Sequence, residues 1–132
     1  ITALDAQNTT IKIRMYGIDA PESKQAFGQK AKQALTTAIA TKIVTVIDHG
    51  TDIYGRMLGT IWLDGYDINA SMVDSGYAWV YRFEDNAIVP GYIKYESAAQ
   101  KEAKGLWADT NPVPPWQWRQ ANEKPRKVKE KK

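Results

Sequence analysis

Asp19 and Glu22 stand three residues apart on the stretch Gly17-Ile18-Asp19-Ala20-Pro21-Glu22, which directly follows a strand-like run containing Arg14. Pro21 fixes its own φ and restricts Ala20, so both carboxylates are carried on stiff backbone that can aim them. Acidic groups aimed in this way can ligate a hard cation, through the Asp19 carboxylate and a backbone carbonyl near Ala20, or take a proton as a general base. The same spacing also fits an ordinary capping box, with Asp19 at the cap and Glu22 three residues on. A second constellation, Asp52-Ile53-Tyr54-Gly55-Arg56, places a glycine where the chain can turn sharply and delivers Arg56 to the start of a strand. Taken alone it is a decorated β-loop.

The two segments mean more together than apart. Arg14 and Arg56, each near the end of a strand and each within reach of an acidic turn, are the equipment for holding a phosphate through charge-assisted, bidentate bonds. Glu22 would then supply a base. Tyr54 is placed to contact a bound nucleotide, and Tyr77, Trp79, Tyr81 and Phe83 offer faces on which bases can stack, although alternating aromatics also mark a buried strand face. His49 is the single histidine and has no metal-ligand spacing around it, so histidine chemistry is not indicated.

The elements that must carry these groups follow from periodicity. Ile11, Ile13 and Met15 alternate with Lys12, Arg14 and Tyr16, a half-buried strand ending near Gly17. Ala31, Ala34, Leu35, Ala38 and Ile39 recur at helical spacing between Phe27 or Gly28 and Ala40. A β-branched run over 42–48 and a second strand over 57–63 flank a loop over 49–56. Asp64-Gly65 closes a hairpin with Tyr66-Asp67-Ile68. Asn69 is expected to cap a short helix ending before Gly76, and a longer helix is expected over 90–104 with Gly105 as its left-handed terminator. With no βαβ rhythm and no internal repeat, the order points to a mainly β fold with appended helices (β+α), a small antiparallel barrel.

The chain's 132 residues suffice for one domain, expected over 1–109, followed by a Pro/Trp-rich segment over 110–121 packed on it and a basic, mobile tail over 122–132. The absence of cysteine excludes disulfides and thiolate metal sites. No apolar run reaches the length of a membrane span, and a monomer is expected. The net charge of +3 misleads: the segment from Arg119 holds 7 basic and 2 acidic residues, leaving 11 basic and 13 acidic before it. Global charge therefore does not argue for a polyanionic partner.

Arg14, Asp19, Pro21-Glu22 and then Asp52-Ile53-Tyr54-Gly55-Arg56 together resemble the staphylococcal nuclease (thermonuclease) family, whose signature is Arg, four residues, Asp, then Pro-Glu, with a later Asp-x-Tyr-Gly-Arg. The similarity extends through the helix after Pro-Glu, the Asp-Gly hairpin, Gly76-Tyr77-Ala78 and Gly105-Leu106-Trp107. It implies a five-stranded barrel of the oligonucleotide-binding type with three helices. It also implies calcium-dependent hydrolysis of DNA and RNA, single-stranded or denatured for preference, leaving 3′-phosphate products, in a secreted or periplasmic setting. By that resemblance Glu22 is the base, Arg14 and Arg56 bind phosphate, Tyr54 and Tyr81 contact substrate, and Asp19 with the Ala20 carbonyl holds Ca²⁺.

Two departures qualify it. Ala20 stands where the best-known members carry Thr, a contact made through the backbone. The family's Asp-Gly-Asp-Thr run, whose later Asp is a metal ligand, would fall immediately before Ile1, so that ligand is expected upstream in a longer gene product. A binding module of the same fold without catalysis is the alternative, and the joint presence of Arg14, Glu22 and Arg56 weighs against it.

Overall fold

The computed structural model describes residues 1–122; of the segment expected to be a mobile tail, 123–132 lies outside the described residues. A five-stranded sheet is its main support. β1 (Thr2–Leu4) runs antiparallel to β2 (Thr10–Met15), β2 runs parallel to β5 (Met57–Leu63), and β5 runs antiparallel both to β4 (Thr45–Thr51) and to β6 (Tyr66–Asp67). At Gly17, whose φ is 79°, the chain leaves this sheet and enters β3 (Ile18–Asp19), which pairs instead with β7 (Trp79–Val80). A third small ladder joins β8 (Arg82–Phe83) to β9 (Asn86–Ala87) through Glu84-Asp85, both at positive φ.

The fold is the expected β+α single domain, with a difference in closure. The strand ladders form three separate sheets and do not close into a barrel among the described residues. The break at Gly17 is the physical reason: a left-handed residue turns β3 away from the hydrogen-bonding plane of β2. Among the described residues there are four α-helices: α1 (Gly28–Ile39), α2 (Ile68–Asp74), α3 (Ile93–Lys101) and α4 (Pro115–Asn122). The fourth lies in the Pro/Trp-rich segment, where Pro115 begins a helix at the one position that tolerates proline.

Several local readings are corrected. His49 to Thr51 belong to β4, so the loop is shorter than 49–56. The cap of α2 is Asp67, whose Oδ1 accepts from the Ala70 backbone N–H at 2.9 Å. Asn69 sits inside that helix, fully buried, where its Oδ1 accepts from Ile61 N and its Nδ2 donates to the carbonyls of Tyr16 and Gly59, each at 3.0–3.1 Å. It is a polar rivet joining α2 to β5 and to the end of β2. Asn69→Ala leaves buried backbone groups unpaired and is expected to lower stability by about 3 kcal/mol, read from the denaturant midpoint. The helix expected over 90–104 is a single 3₁₀ turn (Pro90–Tyr92) followed by α3, and two left-handed residues come after it, Ala103 at φ 51° and the expected Gly105 at φ 54°. Gly105 also lies against Gly76, backbone to backbone, which a side chain on either would prevent.

The core lies between the sheet and α1 to α3, centred on Met15, Ile18, Ile61, Val73, Val80 and Tyr92. One buried acid braces it. Glu96 on α3 accepts from Val80 N at 2.7 Å and pairs with Arg82 at 2.6 Å, fixing the β7–β8 strand end to the helix. His49 stacks on Tyr16 with ring centroids 4.0 Å apart and bonds Thr60 Oγ1 at 2.8 Å, which commits it to packing.

Candidate active site

The parallel pairing of β2 with β5 makes the site possible. Arg14 lies opposite Leu58 in the register, and Arg56 is two residues before Leu58, so both arginines fall on one face of neighbouring strands. The turn at Gly17 then swings Asp19 back toward the same face, and Pro21 carries the chain on to Glu22. Arg14, Asp19, Ala20, Glu22, Tyr54, Arg56 and Tyr81 all line one open cleft of about 710 Å³. These seven residues, named from the sequence, are thus brought together. Tyr77 stacks on Phe27 and Trp79 packs on Trp107, so these two serve packing, while Phe83 is exposed.

Each arginine is aimed by a separate device. Arg14 Nη1 donates to the carbonyls of Ile18 (2.8 Å) and Met15 (3.1 Å), while Nη2 lies 3.6 Å from Asp19 Oδ1 and the guanidinium sits over the Tyr81 ring. Arg56 is held by Asp52, whose Oδ2 accepts from Nε at 2.7 Å and whose Oδ1 accepts from the backbone N–H groups of Tyr54 and Arg56, each at 2.9 Å. Asp52 therefore shapes the loop and orients the arginine at once. Desolvation pushes its carboxyl up, but the hydrogen bonds from Arg56 and Tyr54 outweigh it and hold the group below its ordinary 3.8. Since the folded value is the depressed one, this stabilisation is present at neutral pH and is lost only as pH falls through the folded value. A carboxyl NMR titration should give Asp52 a midpoint below 3.8, with Arg56 losing its anchor only in that acid range.

Glu22 is positioned by backbone and not by a side-chain cage. Its N–H donates to Gln25 Oε1 at 3.1 Å, its carbonyl accepts from Gln25 N, and a Cβ on Gly28 would collide with that carbonyl. The start of α1 can lie this close only because residue 28 is glycine.

One member of the site was missed from the sequence. Arg119 on α4 forks across both carboxylates: Nη2 donates to Asp19 Oδ2 at 2.6 Å, and Nη1 donates to Asp19 Oδ1 at 3.2 Å and to Glu22 Oε1 at 2.7 Å. The hydrogen bond to Asp19, then that to Glu22, hold the guanidinium more firmly protonated than usual. Its charge had been grouped with the lysines of the tail, 100 residues from Asp19, and the spacing gives no signal for it. With Arg119 included, three guanidiniums face two carboxylates in the cleft lining. The lining is therefore cationic although the chain before Arg119 is not.

Such a cleft can bind a phosphate diester through forked cations and offer a carboxylate beside it as a base. As a cation site it supplies hard oxygen donors, the Asp19 carboxylate and the Glu22 carboxylate, with Ala20 alongside. Asp19 is buried, with 4% of its surface exposed, so it requires a positive partner. No group of three or more acidic, histidine or cysteine side chains converges among the described residues. The carboxylate and carbonyl oxygens present are donors of the type a hard cation takes.

The family described as Staphylococcal nuclease homologue matches residues 12–109, which include every site residue except Arg119. Among similar proteins, Protein ParB of Escherichia coli is 41% identical over 118 residues, covering 83% of this chain and 67% of that protein. An uncharacterized endonuclease of Haemophilus influenzae is 41% identical over 119 residues, covering 90% and 66%. A micrococcal nuclease of Shigella flexneri is 38% identical over 122 residues, covering 86% and 70%. The chain thus spans about two thirds of the length of these relatives.

Proposed function

Because this chain belongs to the staphylococcal nuclease homologue family and is a nuclease hydrolase, we propose that it cleaves phosphodiester bonds of DNA and RNA with Ca²⁺ as cofactor and leaves 3′-phosphate products. The observation that carries this reading is the convergence of Arg14, Arg56, Asp19 and Glu22 on one cleft from segments far apart in the chain.

In the proposed mechanism a diester phosphate enters the cleft against Arg14 and Arg56. Glu22 takes a proton from the attacking water, and the arginines stabilise the charge that grows on the equatorial oxygens. Arg56 acts electrostatically, since a guanidinium gives up its proton too reluctantly to serve as an acid. Asp19, the Ala20 carbonyl and an Asp upstream of Ile1 would hold the Ca²⁺, which when bound neutralises and orients the phosphate. Ile1 lines the same cleft, and its backbone N donates to Ile13 O at 2.8 Å. Tyr54, 73% exposed beneath Arg56, offers a free face to a base, whereas Tyr81 is engaged by Arg14 and Trp116 and lines the wall.

Denatured substrates suit an open cleft whose exposed ring can reach an unstacked base. No helix of the described residues is long and apolar enough to cross a membrane. We propose a secreted or periplasmic setting, by family resemblance, and a monomer. The test is cleavage of denatured DNA and of RNA with Ca²⁺ and with chelator, followed by end analysis. Ca²⁺-dependent products carrying 3′-phosphates are expected, and cleavage that survives chelation would overturn the cofactor assignment.

A further inference from the structure

Asp19 has two oxygens, and Arg119 takes both of them. A cation that ligates Asp19 must therefore share or remove that guanidinium. The geometry also shows where the displaced group stays. α4 is anchored by buried Pro115 and by Trp116, whose ring meets Trp79 edge-on at 5.6 Å and Tyr81 at 6.2 Å. The segment before it is tied down by Gln25, which donates to Val113 O at 2.6 Å. The backbone of residue 119 is thus fixed over the cleft while its long side chain remains 39% exposed and able to swing.

We propose that Arg119 is an internal cation that exchanges with Ca²⁺: without the ion it closes Asp19 and Glu22 together, and the ion must displace it from Asp19 to bind. The inference rests on the calcium reading given above and adds a residue outside the matched family segment of 12–109. The physical logic is that of a competing intramolecular ligand. Asp19 is buried and requires a positive partner in every state, and Arg14 at 3.6 Å is too distant to serve fully. Arg119 fills that role while the ion is absent, and the apparent affinity for the ion falls by the fraction of molecules in which Asp19 is free. A forked, charge-assisted pair between a buried carboxylate and a partly exposed guanidinium corresponds to a free fraction of about one in ten. The freed guanidinium stays on the rim of the cleft, tethered by α4.

The test is titration of the full chain with calcium chloride by calorimetry, in the wild type and in Arg119→Gln, with the melting temperature recorded with and without the ion. Arg119→Gln is expected to bind Ca²⁺ about tenfold more tightly, since the free fraction rises from about one tenth to one. Its melting temperature should be lower than wild type without Ca²⁺ and should rise further on adding it. Arg119→Lys, which keeps the charge but loses the fork, should fall between the two and serves if the glutamine variant does not fold. Equal or weaker Ca²⁺ binding in Arg119→Gln, with cleavage still Ca²⁺-dependent, would overturn the exchange and leave the nuclease reading intact. Absence of Ca²⁺ binding in both proteins, with cleavage resistant to chelator, would overturn the cofactor reading and the exchange together.

Discussion

Glu22→Gln should lower kcat by about 10²–10⁴-fold while leaving the unfolding midpoint close to that of the parent. The substitution keeps the shape of the side chain and its ability to accept from Arg119 Nη1, but removes the basic oxygen. Structural cost should be small because the Glu22 side chain is 40% exposed and its place is set by backbone contacts to Gln25 and Gly28. Among the described residues, Oε1 is the only carboxylate oxygen of Glu22 that is hydrogen-bonded, which leaves Oε2 to meet a water. Initial rates on a short fluorogenic oligonucleotide separate the outcomes. A fall in kcat with KM nearly unchanged marks a group acting in the transition state, whereas a rise in KM alone would assign Glu22 to binding. Undiminished turnover would remove Glu22 from the chemistry altogether.

Why some of this was legible in the sequence and some was not follows from the range of the interactions. The Ile11-Ile13-Met15 alternation, the helix from Gly28 and the Asp64-Gly65 hairpin are local, and a period or a turn residue declares each of them. The paired segments of the site were visible because stiff turns carry recognisable residues. Asn69 was misread because its position resembles a cap, while its true partners, Tyr16, Gly59 and Ile61, come together only in the folded sheet. The end of α3 was legible only in part: Gly105 is left-handed as expected, at φ 54°, but Ala103 turns left-handed before it, and the close contact with Gly76 that also requires a glycine at 105 has no signal in the sequence. Arg119 was invisible because an arginine beside a lysine-rich tail looks like solvated charge. Only the burial of Pro115 and the packing of Trp116 bring it to Asp19. The open sheets were likewise not readable, since closure depends on where the chain bends at Gly17 and not on strand count.

Arg56→Lys should lower kcat/KM by about 10²–10³-fold although it preserves the charge. The reason is that Arg56 serves two partners at once. Its Nε is spent on Asp52 at 2.7 Å, and among the described residues its terminal nitrogens make no hydrogen bond, so both can point into the cleft. A lysine has a single nitrogen: paired with Asp52 it abandons the phosphate, and turned to the phosphate it leaves Asp52 without its side-chain partner. Arg14 differs, because its Nη1 is committed to the Ile18 and Met15 carbonyls and only Nη2 faces Asp19. Arg14→Lys therefore disturbs the turn that carries Asp19, and its loss should come with a lower melting temperature, which Arg56→Lys should largely escape. The contrast is the informative part. If Arg56→Lys retained full kcat/KM, charge alone would suffice at that position and the forked geometry that Asp52 maintains would have no part in transition-state binding. If it lost activity together with stability, Arg56 would be a loop anchor first and a phosphate ligand second.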